Sequence, residues 1–461
     1  MLSAFAAPDA AAIPVHAVTS EGLDAKLAEL GAAAAWAKAS AFAADEGAIL
    51  LLPDAEGRLA AVLFGLGREG AARPPLLAGK LATGLPAGTY RLEGWPGGMA
   101  EAVLGFALGA YRFERYLKPR AEAPQLVLPE GEAAAEAARI AAAVWMVRDL
   151  VNTPANDLGP AELAAAAREL AAAHGAVFEE YFGDDLLARE FPLIEAVGRG
   201  SPRPPRLVTF TWGRPDAPKL SLVGKGVVFD TGGLDIKGAS NMALMKKDMG
   251  GAANVLGLAR LIMEAGLDLR LRVVLPIVEN AVSGESFRPG DVFPSRKGLS
   301  VQIGDTDAEG RLILADALAF ADAEAPDLLV DLATLTGAAR VALGPDIPPF
   351  YTRDDTFAAD LAEASRAAGD PLWRLPLWAP YEEGLKSKIA DLNNIAPGGF
   401  AGSITAALFL GRFVERAKTW MHADIYAWVP AARPGQPEGG EAQAIRALYR
   451  YLKDRFGRTG A

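Results

Sequence analysis

The sequence predicts an α/β protein, in which a small N-terminal α/β domain precedes a larger α/β domain with a central, mostly parallel sheet flanked by helices. From residue 160 onward, apolar segments rich in Val, Leu and Ile alternate with helical segments. This alternation is typical of a sheet that helices cover on both faces. The length of 461 residues also suggests two or three domains of about 150 residues each.

The N-terminal part of the chain carries a shorter version of the same alternation. Two apolar segments surround the sequence Asp54-Ala55-Glu56-Gly57, which is a turn signal. The strand candidates are 12–18, 48–52 and 60–66, and the helix candidates are 23–42 and 101–116. We therefore predict an N-terminal α/β domain over residues 1–130.

A long helical segment follows and is predicted to link the two domains over residues 131–153. The helix should end at Asn152-Thr153-Pro154, because proline disfavours the helical conformation of the residue before it. The alternative is a surface helix inside one large domain.

The larger domain is predicted over residues 154–461. Its strand candidates are 207–212, 219–229, 269–278 and 327–334, and its helix candidates are 251–264, 312–324, 403–416 and 442–456. In sheets of this kind ligands bind at the carboxyl ends of the strands.

Composition excludes several classes of site. There are no cysteines, which excludes disulfides, thiolate metal sites and cysteine nucleophiles. The three histidines, His16, His174 and His422, are far apart, so a bound metal should have mostly oxygen ligands. The net charge of −11 argues against nucleic-acid binding, which needs a basic face.

The sequence also argues against a membrane protein. No apolar run approaches about 20 residues without a charge, and the N-terminus lacks the basic segment of a secretory signal. A cytoplasmic location is expected.

The first chemically informative segment begins at Ser221 and reads SLVGKGVVFDTGGLDIKGASNMALMKKDMGGAANVLG. It starts as a strand, breaks into a glycine-rich loop and enters a helix. Four charged residues lie on this loop-dominated stretch: Lys225, Asp230, Lys237 and Asp248. Loops between regular elements are where scaffolds usually present reactive groups.

The second segment, GDTDAEGRLILADAL, begins at Gly304. Asp305, Asp307 and Glu309 alternate, so Asp307 and Glu309 can face one cavity in an extended chain. Such closely spaced carboxylates repel one another unless a positive charge offsets them. Together with Asp230 and Asp248, they could hold two divalent cations. The alternative is that all of them are surface charges near turns.

The two segments together resemble the leucine aminopeptidase (cytosol aminopeptidase) family. DTDAEGRL is similar to the NTDAEGRL signature of that family, and the blocks VGKG, FDTGG, DIK and KKDM precede it in the family's order. NTPAN, DLATLTGA and DPLWRLPL also match, so the resemblance covers roughly residues 145–430. It implies a dinuclear-metal aminopeptidase that hydrolyses N-terminal residues, leucine and others, from peptide substrates.

The resemblance implies a ligand set for two divalent ions, Zn²⁺ or Mn²⁺. One ion would be bound by Lys225, Asp230, Asp248 and Glu309, and the other by Asp230, Asp307 and Glu309. Lys225 could bind a metal only as the neutral amine, whereas the ordinary lysine pKa is about 10.4. Metal binding should therefore weaken as pH falls.

The resemblance also implies catalytic and substrate-binding roles. Lys237 would stabilise the oxyanion of the tetrahedral intermediate, and Arg311 would hold a bicarbonate ion that acts as general base. The first side chain of the substrate would be bound by Met245, Thr334 and Gly337, and the main chain at Leu335 would help position the substrate. Ordinary core packing is the alternative for Met245. The family's members suggest a cytoplasmic homohexamer.

The sequence departs from the family pattern at two acidic residues. Asp305 replaces the usual asparagine of the signature, and Asp235 lies beside Lys237. Both could make the site more negative. We interpret His422, Asp424 and Asp331 as structural.

Two other functions remain as alternatives. A carboxylate cluster with Lys and Arg also suits a metal-dependent phosphoryl hydrolase, although the chain has no Walker-type loop. The second alternative is a non-enzymatic regulatory or DNA-binding scaffold. The acidic net charge argues against this alternative.

Overall fold

A computed structural model describes residues 2–8, 10–31, 33–96, 98–118 and 122–457. The chain divides into two compact units, of which one comprises Met1–Trp145 with Ala431–Glu438 and the other Met146–Pro430 with Gly439–Ala461. Each unit contains a sheet with helices, which confirms the predicted α/β class.

The smaller unit is built on a six-stranded sheet with the order β1-β6-β5-β2-β4-β3. Its strands are β1 (Phe5–Ala6), β2 (Ile13–Val18), β3 (Ile49–Pro53), β4 (Leu59–Gly65), β5 (Gly88–Glu93) and β6 (Pro124–Val127). Its helices are α1 (Leu23–Leu30), α2 (Ala33–Ala39), α3 (Gly79–Gly84) and α4 (Met99–Gly109). All strand pairs are parallel except β3 with β4.

Two predicted helices of this unit differ from the structure. The helix predicted over 23–42 is divided into α1 and α2, because α1 ends at Gly31, whose φ of 59° favours glycine and is not helical. The helix predicted over 101–116 is shorter, since α4 ends at Gly109.

A long helix, α5 (Glu132–Asn152), carries the chain from the smaller unit into the larger one. It ends two residues before Pro154, as the proline predicted.

The larger unit contains most of the secondary structure. Its helices are α6 (Pro160–Ala173), α7 (Asp184–Ala188), α8 (Pro192–Gly198), α9 (Ala239–Met242), α10 (Gly250–Glu264), α11 (Glu309–Asp322), α12 (Gly337–Leu343), α13 (Asp355–Ala368), α14 (Gly402–Gly411) and α15 (Ile445–Phe456). Two 3₁₀ segments span Met245–Met249 and Ala379–Leu385.

The strands of this unit form one large sheet and two small ones. The large sheet contains β7 (Val177–Phe182), β8 (Arg206–Trp212), β9 (Lys219–Gly224), β10 (Gly226–Asp230), β11 (Arg270–Asn280), β14 (Leu328–Ala333), β15 (Pro349–Tyr351), β16 (Trp373–Arg374) and β18 (Thr419–Asp424). The small sheets contain β12 (Val292–Pro294), β13 (Ser300–Gln302) and β17 (Leu392–Asn393), and β19 (Trp428–Val429) with β20 (Gly439–Gly440).

The centre of the large sheet is parallel, in the order β18-β14-β9-β11, and antiparallel pairs lie toward both edges. This confirms the mostly parallel sheet. The strand predicted over 219–229 is interrupted at Lys225, so that β9 and β10 pair with successive parts of β11. The carboxyl ends of β9, β10, β14 and β18 therefore lie at one edge, where ligands are expected.

Apolar packing fixes this edge in place. Helices α10 and α11 are buried along most of their length, and strand residues such as Leu222, Val273 and Leu332 are fully buried. Each such side chain contributes about 1.5–3 kcal/mol on burial. Within the described part of the chain, no helix combines the length and the apolar character needed to cross a lipid bilayer.

Candidate metal centre

Lys225 lies in the short break between β9 and β10. Its N–H donates to Leu332 O at 3.1 Å and its carbonyl accepts from Ala252 N at 2.8 Å. A Cβ atom at Gly251 would lie 2.1 Å from Leu332 O, so only glycine permits α10 to approach β14 this closely. The backbone at Lys225 is thereby held between the sheet and the helix.

The four acidic residues reach the same place from different elements. Asp230 ends β10, and its Oδ1 accepts from Gly232 N at 2.8 Å and from Asn280 Nδ2 at 2.9 Å. Asp248 lies on the 3₁₀ segment before α10. Glu309 is the first residue of α11, and Asp307 lies two residues before it.

Two ammonium groups lie among these carboxylates. Lys225 Nζ lies 2.8 Å from Asp248 Oδ2 and 2.9 Å from Glu309 Oε1, and it donates to the carbonyl of Thr334 at 2.9 Å. Lys237 Nζ lies 2.8 Å from Asp230 Oδ2 and also contacts Asp307 Oδ1. Four negative charges are thus opposed by two positive ones.

The pKa values of these groups reflect that imbalance. Burial, with the charge of Asp230, raises the pKa of Asp307 to about 6 and the pKa of Glu309 well above its ordinary value. Burial by itself lowers the pKa of Lys225, but the charges of Asp248, Glu309 and Asp230 outweigh it and raise that pKa. Further positive charge would stabilise the ionised acids.

The donor set fits divalent cations. Carboxylate oxygens of Asp230, Asp307 and Glu309 lie within 4.8 Å of one another. Glu309 is 1% exposed, and its Oε2 has neither a hydrogen bond nor an ion pair with any described residue. A buried carboxylate oxygen without a partner is costly, and a cation would satisfy it.

Arg311 projects from the first turn of α11. Its Nη1 donates to Asn394 O at 2.6 Å, whereas its Nε is buried and has no hydrogen-bond partner among the described residues. Burial lowers the pKa of Arg311 to about 10. The guanidinium group therefore has donor capacity left for an anion.

Of the predicted substrate-binding residues, Thr334 contacts the carboxylate cluster, and the others are close to Asp248 or Thr334 in sequence. Met245 is partly buried one 3₁₀ turn before Asp248. Thr334 follows β14, and its hydroxyl donates to Asp248 Oδ1 at 2.9 Å. Leu335 and Gly337 continue that loop into α12.

Asp424, at the end of β18, organises the same loop. Its Oδ1 accepts from Leu335 N at 3.0 Å and from Thr336 N at 3.1 Å. From the sequence, Asp424 was predicted to be structural, and it does bind protein groups rather than lie within the carboxylate cluster. Its position at the end of a central strand was the signal for a role near the site.

Three further positioning residues were missed from the sequence. Asn280 binds Asp230, and Asn394 Nδ2 donates to the carbonyl of Asp305 at 2.7 Å. Thr306 N donates to Asp235 Oδ2 at 2.8 Å. Asn280 ends β11, so its place at the carboxyl edge of the sheet could have revealed it.

The two additional acids bind backbone groups. Asp305 Oδ1 accepts from Asp307 N at 2.8 Å, a bond that the asparagine of the family signature could also make. Asp235 Oδ2 accepts from the main chain of Thr306. Both carboxylates therefore shape the loop around Asp307.

His422 lies in the sheet and not in the carboxylate cluster. Its Nδ1 lies 2.5 Å from Asp331 Oδ1, and Asp331 Oδ2 accepts from Trp420 Nε1 at 2.8 Å. His422 and Asp331 are fully buried on the adjacent strands β18 and β14. This arrangement supports the structural interpretation of both residues.

The chain is similar to known proteins over most of its length. Residues 145–449 match the catalytic domain of the cytosol aminopeptidase family, and residues 13–129 match the N-terminal domain of M17 aminopeptidases. A probable cytosol aminopeptidase of Roseiflexus castenholzii is 43% identical over 381 residues, which cover 78% of each chain.

Solved structures are similar over nearly the whole chain. A cytosol aminopeptidase from Coxiella burnetii has a TM-score of 0.94 and 44% identity, with 99% of this chain and 100% of that chain covered. The bottromycin maturation enzyme BotP in complex with Mn has a TM-score of 0.87 and 37% identity, over 96% and 99% of the two chains. As the resemblance predicted, the chain belongs to the cytosol aminopeptidase family and is a peptidase.

Proposed function

We propose that the enzyme removes N-terminal residues from peptides with the help of two divalent cations, Zn²⁺ or Mn²⁺. The observation that carries the proposal is the cluster of four carboxylates, three of them buried, that only two ammonium groups oppose. Within it, Glu309 Oε2 has no partner among the described residues. The Mn complex of BotP supports the choice of a divalent ion.

The ligand assignment is the one that the family resemblance implies, and the contacts among these side chains support it. One ion would be held by Lys225, Asp230, Asp248 and Glu309, and the other by Asp230, the side chain and carbonyl of Asp307, and Glu309. A pair of ions bound there would polarise the scissile carbonyl and make a water molecule nucleophilic. Lys225 has to release its proton to become a ligand, so binding should be accompanied by proton release.

Lys237 would act as the electrophile toward the substrate. The charges of Asp230 and Glu309 outweigh the effect of burial and raise its pKa, so it stays protonated at neutral pH. Its side chain is 13% exposed and can therefore meet a substrate. A fixed ammonium group at this point would stabilise the oxyanion that forms during hydrolysis.

Arg311 would bind bicarbonate, which would act as general base. The buried Nε of Arg311, which lacks a partner among the described residues, supports this role. A planar anion suits the two-pronged geometry of a guanidinium group.

The first side chain of the peptide would lie against Met245, Thr334 and Gly337. The main chain of Leu335 would align the substrate, and because its N–H is bound to Asp424, we assign this contact to its carbonyl. The alternative of pure core packing for Met245 fits less well, since Met245 is only partly buried.

The test is hydrolysis of Leu-p-nitroanilide by chelator-treated enzyme before and after addition of Mn²⁺ or Zn²⁺. We expect metal-dependent release of p-nitroaniline. Metal-dependent phosphate release from phosphoesters, or salt-sensitive DNA binding, without peptidase activity would instead favour the phosphoryl hydrolase or the DNA-binding scaffold.

By the same resemblance, we propose a homohexamer in the cytoplasm. Light scattering coupled to size-exclusion chromatography would measure the assembly, and cell fractionation the location. A monomeric mass or a membrane-associated fraction would contradict these two proposals.

A further inference from the structure

Two cationic side chains flank the ring of Tyr426. Lys247 Nζ lies 4.6 Å from the centre of that ring, and the guanidinium carbon of Arg340 also lies 4.6 Å from it. Lys247 is 3% exposed. Neither cation forms an ion pair with a carboxylate of the described residues, and the guanidinium group of Arg340 donates to the carbonyl of Thr336 at 3.3 Å.

These cations border the proposed substrate pocket. A Cβ atom at Gly337 would lie 3.6 Å from Arg340 Nη2. Lys247 shares its 3₁₀ segment with Met245. Tyr426 precedes Ala427, which together with Thr334 closes around Gly250. Arg340 therefore lies next to a residue assigned to the pocket, and Lys247 and Arg340 both lie beside Tyr426.

The neighbouring carboxylates are already occupied. Asp424 Oδ1 accepts two backbone N–H groups, and its Oδ2 accepts the hydroxyls of Thr336 and Ser403 at 2.5 and 3.1 Å. Asp248 is bound by Lys225 and Thr334. Lys247 and Arg340 therefore have no hydrogen-bonded carboxylate among the described residues. For Lys247, whose ammonium group is buried, an uncompensated charge is energetically costly.

We propose that Lys247 and Arg340 select the first residue of the peptide by charge. A glutamate or aspartate at the first position would bring its carboxylate to the two cations, which would attract it. A lysine or arginine at that position would be repelled by the same two positive charges. The proposal rests on the aminopeptidase function above and names the substrate class that this pocket favours.

The experiment compares kcat/KM for Glu-, Leu- and Lys-p-nitroanilide with Mn²⁺-loaded enzyme. The ratio of the Glu to the Lys substrate is measured in the wild type, Lys247→Met and Arg340→Met. Because the ratio is taken within each variant, changes in overall rate cancel. We expect each substitution to lower the Glu-to-Lys ratio by about tenfold or more. The control is Lys388→Met, which removes an exposed positive charge from the larger unit and should leave that ratio unchanged.

Product inhibition gives a second measurement. Free glutamate should inhibit hydrolysis of Leu-p-nitroanilide more strongly than free lysine, and this preference should diminish in both variants. If Lys247→Met does not fold, Arg340→Met, whose side chain is partly exposed, carries the test.

The outcomes separate the two proposals. An unchanged Glu-to-Lys ratio in a variant that still hydrolyses Leu-p-nitroanilide overturns the charge selection alone. A wild-type enzyme that hydrolyses none of the three substrates overturns the aminopeptidase function itself.

Discussion

The larger unit buries two groups of charged side chains that are arranged in opposite ways. Arg148 meets Glu441 through two bonds, Nη2 to Oε2 at 2.9 Å and Nε to Oε1 at 3.1 Å, so that one cation faces one carboxylate. In the candidate metal centre, four carboxylates surround the ammonium groups of Lys225 and Lys237.

The difference separates buried charges that satisfy one another from buried charges that leave a bonding group unused. Glu441 is satisfied by Arg148 and by the N–H of Ala442, so it offers nothing to a cation. Glu309 retains a buried oxygen to which no described residue bonds. A charge imbalance buried in protein is stable only when something else neutralises it.

The largest effect is expected from Glu309→Gln. Removal of a charge that both cations would share should lower kcat/KM by about 10³-fold, and metal content measured by mass spectrometry should fall with it. The melting temperature of the metal-free protein should not drop, because the substitution relieves repulsion among the carboxylates. Activity within tenfold of the wild type would show that Glu309 is not a ligand.

Glu441→Ala should produce the opposite pattern. The substitution leaves Arg148 buried without its carboxylate, which should lower the free energy of unfolding by about 3–5 kcal/mol. Activity per folded molecule should persist. Glu383→Ala, which breaks the exposed pair with Lys386, is the control and should cost less than about 1 kcal/mol. Equal losses of unfolding free energy in Glu441→Ala and Glu383→Ala would show that the buried ion pair does not stabilise the fold more than an exposed one.

Gly310→Ala tests how tightly the centre is packed. The new Cβ atom would lie 2.6 Å from Lys225 Cε and 2.7 Å from its Nζ, and three contacts hold that ammonium group in place. Displacement of the ligand should lower kcat/KM by about 10²-fold. Gly284→Ala, where a Cβ atom meets nothing within 4 Å, should leave activity unaltered. Similar kinetics for the two variants would argue against Lys225 as a ligand.

The smallest expected effect concerns pH. The pKa of Asp307 is raised to about 6 and that of Glu309 is also raised, so both acids take up protons more readily in the folded than in the unfolded state. The stability that protonated Asp307 contributes to the metal-free protein is present at low pH and is lost as pH rises through about 6. The raised pKa of Glu309 acts in the same direction. Mn²⁺ should therefore raise the melting temperature more at pH 7.5 than at pH 5.5, as thermal unfolding with and without a chelator would measure. A rise that is independent of pH would contradict this account of the centre.

Most residues of the proposed site could be predicted from local sequence. The glycine-rich loop, the spacing of Asp307 and Glu309 and their match to a family signature indicated a metal centre from the sequence alone. The supporting residues were harder to find, because Asn280 and Asn394 act on groups that are 50 and 89 positions away in the chain. A lone asparagine near a strand end carries no chemical signature of its own.

The sequence by itself determined the α/β class, the two-part organisation and the residue types available for the chemistry, because apolar periodicity and glycine placement act over short stretches of chain. Only the tertiary structure decided that Lys225 interrupts a strand, that residues 431–438 return to the smaller unit, and that Lys247 and Arg340 meet at one ring. These features depend on which distant segments pack together. Packing of this kind is set by the whole core, so no local pattern encodes it.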